Sequence, residues 1–121
     1  MEIPSAPELQ VAGIPFARNM YPMWVFDRET LAFLDVNEAA VQQYGYSRHE
    51  FLRMTIKEIR PPEDVPELLR QTEVLRPNGP STGANWRHRD RNGVVFPVAI
   101  TSWDVNFRGR PAELVLARRE K

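Results

Sequence analysis

The chain contains no cysteine. Disulfides, thiolate metal sites and cysteine nucleophiles are thereby excluded. It also lacks an excess of either charge, with 16 Lys and Arg against 16 Asp and Glu in 121 residues. No overall field draws it toward nucleic acid or anionic lipid. No apolar run approaches the length of a membrane span. The opening MEIPSAPELQ lacks the basic-then-apolar layout of a signal peptide. The expected location is therefore the cytoplasm, without membrane insertion and without a nucleic-acid partner. Histidine is scarce, at His49 and His88 only, and no repeat or low-complexity tract is present. What the chain has in quantity is proline, 11 residues placed at edges and turns, where it acts as punctuation. The length fits one domain with one core.

Residues 1–13 read as a loose leader, and IPFARNM, 14–20, as a short helix with Pro15 in its first turn. MWVFD, 23–27, and LAFLDV, 31–36, read as the two strands of a hairpin. At Asn37 the pattern turns helical. The asparagine is a cap, and Ala40, Val41 and Tyr44 share one helix face. Gly45 is a helix stop of the left-handed kind. Ser47 to Glu50 is a capping box stapled by Tyr46 and Phe51, and Thr55 to Glu58 repeats it between Met54 and Ile59. Pro61-Pro62 ends that turn. Asp64 to Glu67 starts a longer helix whose apolar stripe is Val65, Leu68, Leu69 and Leu75. After the loop 76–83 come extended stretches at 84–90, 93–105 and 112–118. Asn92-Gly93 marks the first hairpin turn among them. The order of elements is that of an α+β domain with an antiparallel sheet.

VNEAAVQQYGYSRHEF resembles, at Asn37, Ala39, Ala40, Gly45, Tyr46, Ser47 and Glu50, the segment that opens the helical part of PAS (Per-Arnt-Sim) domains. WRHRDRNG resembles the same family's hairpin at Arg87, Arg91, Asn92 and Gly93, and PPEDVPELL is similar to the start of its long helix. The likeness runs from about Asn19 to Arg118. The first hairpin carries DRETL where the family has D-x-x-G, and the family's closing D-(I/V)-T is absent. The resemblance implies a PAS-like five-stranded antiparallel sheet in the order 2-1-5-4-3, with short helices covering one face. A single domain would then occupy 14–118, with 119–121 starting a C-terminal linker. It also implies a role: the input module of a bacterial signalling protein, such as a sensor histidine kinase or a cyclic-di-nucleotide enzyme.

The candidate residues follow. Val41, Tyr44, Leu52, Met54, Ile56, Leu68, Leu69, Phe96, Val98 and Ile100 are expected to face a hollow between helices and sheet, as core or as the lining of a small-molecule pocket. Trp24, Trp86 and Trp103 are expected on the outer sheet face. Phe16, Met20, Trp24 and Trp103 are the interface candidates for a weak homodimer. No metal and no cofactor is expected. Haem-binding relatives use a histidine on the long helix, and 64–75 has none; the covalent flavin adduct needs a cysteine. His88 is read as a strand-surface histidine and His49 as exposed in a capped first turn. Arg87, Arg89 and Arg91 share one face of their strand, solvated or paired to carboxylates. Glu50, Glu58, Asp64 and Glu67 occupy capping positions, and no catalytic set can be assigned. The expected function is a sensory PAS module that responds to a ligand or dimerises, and that regulates an attached effector. The rivals are a small α+β enzyme with an isomerase-like pocket, which needs a perturbed buried carboxylate, and a ligand-free interaction scaffold.

Overall fold

The computed structural model describes residues 10–11, 14–73 and 81–120. Strands β1, Gln10–Val11, and β2, Ile14–Pro15, form a minimal antiparallel ladder. The helix expected over 14–20 is therefore not formed. Pro15 closes a strand, and the side chain of Asn19 accepts the Tyr21 N–H at 2.9 Å, a local turn that competes with helical bonding. The rest of the leader, Leu75, most of the 76–83 loop and Lys121 lie outside the described residues.

β3, Met23–Asp27, and β4, Phe33–Val36, form the expected hairpin. Its turn is built on Asp27, whose Oδ1 accepts the N–H groups of Glu29 at 2.8 Å and Thr30 at 3.1 Å. Leu31 then takes a left-handed φ of 66°. A bulge in β4 lets Val36 pair with Trp24 and Phe33 with Phe26, so that both aim inward although three residues apart.

Helix α1, Glu38–Tyr44, follows with Asn37 as its cap, and stops at Gly45, whose φ is 84°. Helix α2, Arg48–Phe51, has the full Ser47/Glu50 capping box. A 3₁₀ turn at Ile56–Ile59, where Glu58 accepts the Thr55 N–H at 2.6 Å, and another at Pro62–Asp64 lead into α3, Val65–Glu73. The descending chain is stitched to β4: Phe33 N–H donates to Met54 and Ile56 N–H to Leu31, both at 3.0 Å.

Strands β5, Ser81–Arg89, β6, Val95–Phe107, and β7, Arg110–Arg119, complete the sheet in the order β4-β3-β7-β6-β5. Counted along the chain within this sheet, that is the expected 2-1-5-4-3. The β5–β6 turn is closed by Asp90, whose Oδ1 accepts from Asn92 and Val94 at 2.9 and 3.0 Å, with Gly93 at a φ of 83°.

Alternation along the strands sorts the residues into two clusters, one on each face of the sheet. Toward the helices lie Trp24, Phe33, Tyr44, Phe51, Phe96, Val98 and Val115, with Trp86 half-buried against them. On the other face Met23, Val25, Leu114 and Phe107 pack under Phe16. Trp24, Trp86 and Phe16 thus depart from expectation. Trp24 does lie at the opposite parity to Met23 and Val25, but it points into the helical core, where its indole packs edge-on against Phe33 and Tyr44. Phe16 is fully buried and serves as the lid of the outer cluster. Trp103 is on the outer face, half-buried, as expected.

Asn37→Ala should lower stability by about 3 kcal/mol or more, since it removes a helix cap and strands several buried backbone groups. Gly45→Val should cost roughly 1–3 kcal/mol through φ strain, aggravated because an added Cβ meets Arg91 Cβ at 3.3 Å. Urea midpoints should rank parent, Gly45→Val, Asn37→Ala. An Asn37→Ala protein as stable as the parent would show that the asparagine bonds carry nothing.

Candidate functional site

The inner face of the sheet is not purely apolar. Tyr44 on α1 and His88 on β5 meet across the core at 2.5 Å, hydroxyl to Nδ1, and both are fully buried. Rings of Trp24, Phe96 and Tyr44 surround the imidazole, at centroid distances of 5.6, 6.5 and 5.6 Å. Arg60, which ends the 3₁₀ turn, joins them from the helical side. It is buried too, and its guanidinium lies 4.7 Å over the Trp86 ring. The extended conformation at Arg60, φ −124° and ψ 150°, is the one imposed before Pro61, and it turns the side chain off the helical spiral and into the core. Ser102 on β6 and Glu113 on β7 are buried on the same inner face.

Burial shapes the charges. It pushes the His88 imidazole well below its ordinary value, and the neighbouring Arg60 cation pushes the same way. Burial raises the Tyr44 hydroxyl far above its ordinary value. Arg60 is lowered to about 10 by burial, with Tyr44, Asp64 and Glu113 acting against that. At neutral pH the cluster is one cation, one neutral imidazole and one neutral phenol.

Of the residues expected to face the hollow, Tyr44, Ile56, Leu68, Phe96 and Val98 are buried there, and Val41, Met54 and Ile100 are partly buried against them. Leu52 and Leu69 are not: each is more than a third exposed. Leu52 follows the last turn of the four-residue α2, whose one buried position is taken by Phe51, and Leu69 sits one step round α3 from the buried Leu68. His88 is a second correction. It shares the inward parity of Trp86, which makes it core rather than surface. Arg60 carried no expectation at all. Its signal was the Pro61-Pro62 pair, which halts the helical path at this residue.

The expected motif residues form the rim. Arg91 Nη1 reaches both carboxylate oxygens of Glu50 at 2.7 Å, and the Arg91 N–H donates to the Tyr44 carbonyl at 2.9 Å. The Arg91 side-chain bond holds Glu50 down to about 2, helped by Ser47. Tyr46 packs on Phe51. Arg87 holds Asp64 through bonds of 3.0 and 2.8 Å. Asp64 and Glu67 are thus engaged by side-chain partners, Glu67 by Arg70 and Gln71, rather than as simple caps. The buried carboxylates face arginines: Asp27 with Arg110 at 2.8 Å, Asp35 with Arg48 at 3.0 Å, Glu113 with Arg28 at 3.6 Å.

The outer face carries a groove of about 500 Å³ lined by Pro15, Met20, Tyr21, Thr101 and Leu116 with Arg118 at its side. Met20 is 80% exposed there. No helix among the described residues is long and apolar enough to cross a membrane.

No family model matches the chain, and no curated protein sequence does. Solved structures do. The chain is similar to the PAS domain of an HTR-like protein from Haloarcula marismortui, at 19% identity and a TM-score of 0.75, covering 87% of this chain and 85% of that one. It is similar to a PAS domain from a two-component sensor histidine kinase, at 22% identity and a TM-score of 0.66, covering 86% and 88%. A domain of a sensory box sensor histidine kinase/response regulator from Geobacter sulfurreducens shares 23% identity with a TM-score of 0.70, covering 85% and 86%. At these identities the likeness is one of fold, and the fold is that of PAS domains.

A buried neutral histidine makes stability depend on pH. The folded pKa of His88 lies below its unfolded value of 6.5. The unfolded chain therefore takes up the proton first, and stability is complete above about pH 6.5 and falls as the pH drops below it, by up to about 1.4 kcal/mol per pH unit. The carboxylates with lowered values, Glu50, Asp64 and Glu67, act at lower pH still. Urea midpoints should fall between pH 6.5 and 5 in the parent and flatten over that window in His88→Phe. Equal slopes in the two proteins would contradict the burial of a neutral imidazole.

Proposed function

We propose that this PAS-fold chain is a non-catalytic sensory input module, cytoplasmic, which binds a small molecule between its helices and sheet and passes the change to an attached effector. The observation that carries the reading is the buried Tyr44–His88–Arg60 cluster. A core that served stability alone would do as well or better with apolar side chains in these places, since isolating a cation from water is costly. The likeness to domains of sensor histidine kinases supports a kinase or a comparable enzyme as the effector. The arginine beside each buried carboxylate, Asp27, Asp35 and Glu113, weighs against the enzyme reading.

A route out of the core is short. His88 touches Phe96, and Arg119, near the end of β7, lies 4.5 Å over the Phe96 ring. An occupant that moved His88 would disturb the strand that leads to whatever follows. Mass spectrometry of protein extracted under denaturing conditions tests the ligand directly, because a carried molecule appears as a discrete small mass.

The outer face is the proposed contact for weak self-association. Phe16 and Trp24 are spent on the two cores, so the contact falls to Met20 and Tyr21 at the groove and to Trp103 on the same face. Sedimentation over a wide concentration range should show a weak, reversible dimer that Met20→Glu and Trp103→Glu each weaken by about tenfold or more. A strict monomer throughout would remove self-association from the proposal.

A further inference from the structure

Inside the core are donors that no acceptor among the described residues takes. Arg60 Nε and Nη1 and His88 Nε2 are buried without a hydrogen-bond partner. The Tyr44 hydroxyl, kept protonated by burial, is partnered by His88 Nδ1; when it donates to that nitrogen, the imidazole hydrogen sits on Nε2. With that tautomer, three nitrogens carrying four N–H hydrogens, on a cation and a neutral ring, ask for acceptors. Leaving such groups dry is costly, at about 1–3 kcal/mol each and more for the charged one.

Among the described residues, the carboxylates that act on Arg60 do not supply the need. Asp64 and Glu113 act on Arg60 through their fields, yet neither bonds to it. The Asp64 carboxylate is committed to Arg87 through both oxygens. Glu113 stands 3.6 Å from Arg28. Water could meet the hydrogen bonds but not the charge. Guanidinium pairs most strongly with carboxylate or phosphate. A single cation beside a neutral imidazole balances one negative charge, which favours a carboxylate over a doubly charged phosphate. Packed around these groups are the rings of Trp86, Trp24, Tyr44 and Phe96. They suit an apolar body.

We infer that the core binds a small monocarboxylate with an apolar body, its carboxylate held by Arg60 and by the Nε2–H of His88. The inference rests on the sensory reading above and names the chemistry of its ligand.

The test uses the parent chain labelled with ¹⁵N. Propionate, isobutyrate and benzoate are the probes, with propionamide, isobutyramide and benzamide as neutral partners of the same shape. At least one carboxylate should shift the Arg60 Nε–H and His88 ring resonances in a saturable way, while its amide leaves them in place. In calorimetry Arg60→Gln should weaken that carboxylate by about 10- to 100-fold, the worth of a hydrogen bond to a charged group. Should Arg60→Gln fail to fold, the parent resonances decide alone. Amides that shift the resonances as well as the acids do would overturn the anion and leave a sensory pocket standing. Resonances unmoved by all six compounds at their solubility limits would overturn the inference. If denaturing extraction then also yields no small molecule, the ligand part of the sensory reading falls with it.

Discussion

One amide side chain holds the leader, the first strand and the first helix in register. Asn37 is buried and uses its full bonding capacity. Its Oδ1 accepts from Ala40 N–H at 3.0 Å, which caps α1, and from Met23 N–H at 2.9 Å, which fixes the start of β3. Its Nδ2 donates to the carbonyls of Phe16 and Tyr21 at 2.9 and 3.0 Å. Its own N–H donates to Met23 at 3.0 Å. No other residue type has two acceptor and two donor sites so close together on so short a stem. The bonds to Phe16 and Tyr21 keep the segment 16–21 against the sheet, and with it the Phe16 ring over Met23, Val25 and Leu114. Both faces of the sheet thus depend on this one position, in a molecule whose whole stability is expected to be only about 5–15 kcal/mol.

A second tie joins the corner at Gly45 to the β5–β6 hairpin. Arg91 bonds by its backbone to the last turn of α1 and by its guanidinium to the capping carboxylate Glu50. The exposed ion pair contributes little by itself. Its effect is positional: it sets α1 and α2 over the end of β5, and so brings Tyr44 within reach of His88. The rim motifs are therefore scaffolding for the polar core beneath them.

Much of this was legible in the chain. Asn37, Gly45, the Ser47/Glu50 box and Asn92-Gly93 announce themselves because caps and tight turns are local chemistry. The hairpins followed from these turns, and the sheet order came from the resemblance to PAS domains. What sequence could not supply was the sign of each face. Alternation separates Trp24 from Met23 and Val25, but only the long-range packing of Tyr44 and Phe33 tells which side is inner. Phe16 was misjudged for the same reason, since its lid position depends on Asn37, 21 residues away. His88 and Arg60 were missed because a charged or titratable residue defaults to the surface. The warning in each case was present but faint: the inward parity shared by His88 and Trp86, and the prolines that arrest the helical path just after Arg60.

The two faces do not act independently. β7 places Val115 and Ala117 on the inner cluster and Leu114 and Leu116 on the outer one, and from Ala112 to Leu116 it lies between β3 and β6. A close-packed strand cannot move one side without the other. An occupant that repositioned His88 and Phe96 inside would therefore press on Leu116 and Thr101, which line the outer groove beside Met20. Coupling between ligand and partner then needs no hinge. It needs only that the two states differ at β7 by a packing step, and that ligand and partner each favour one of them.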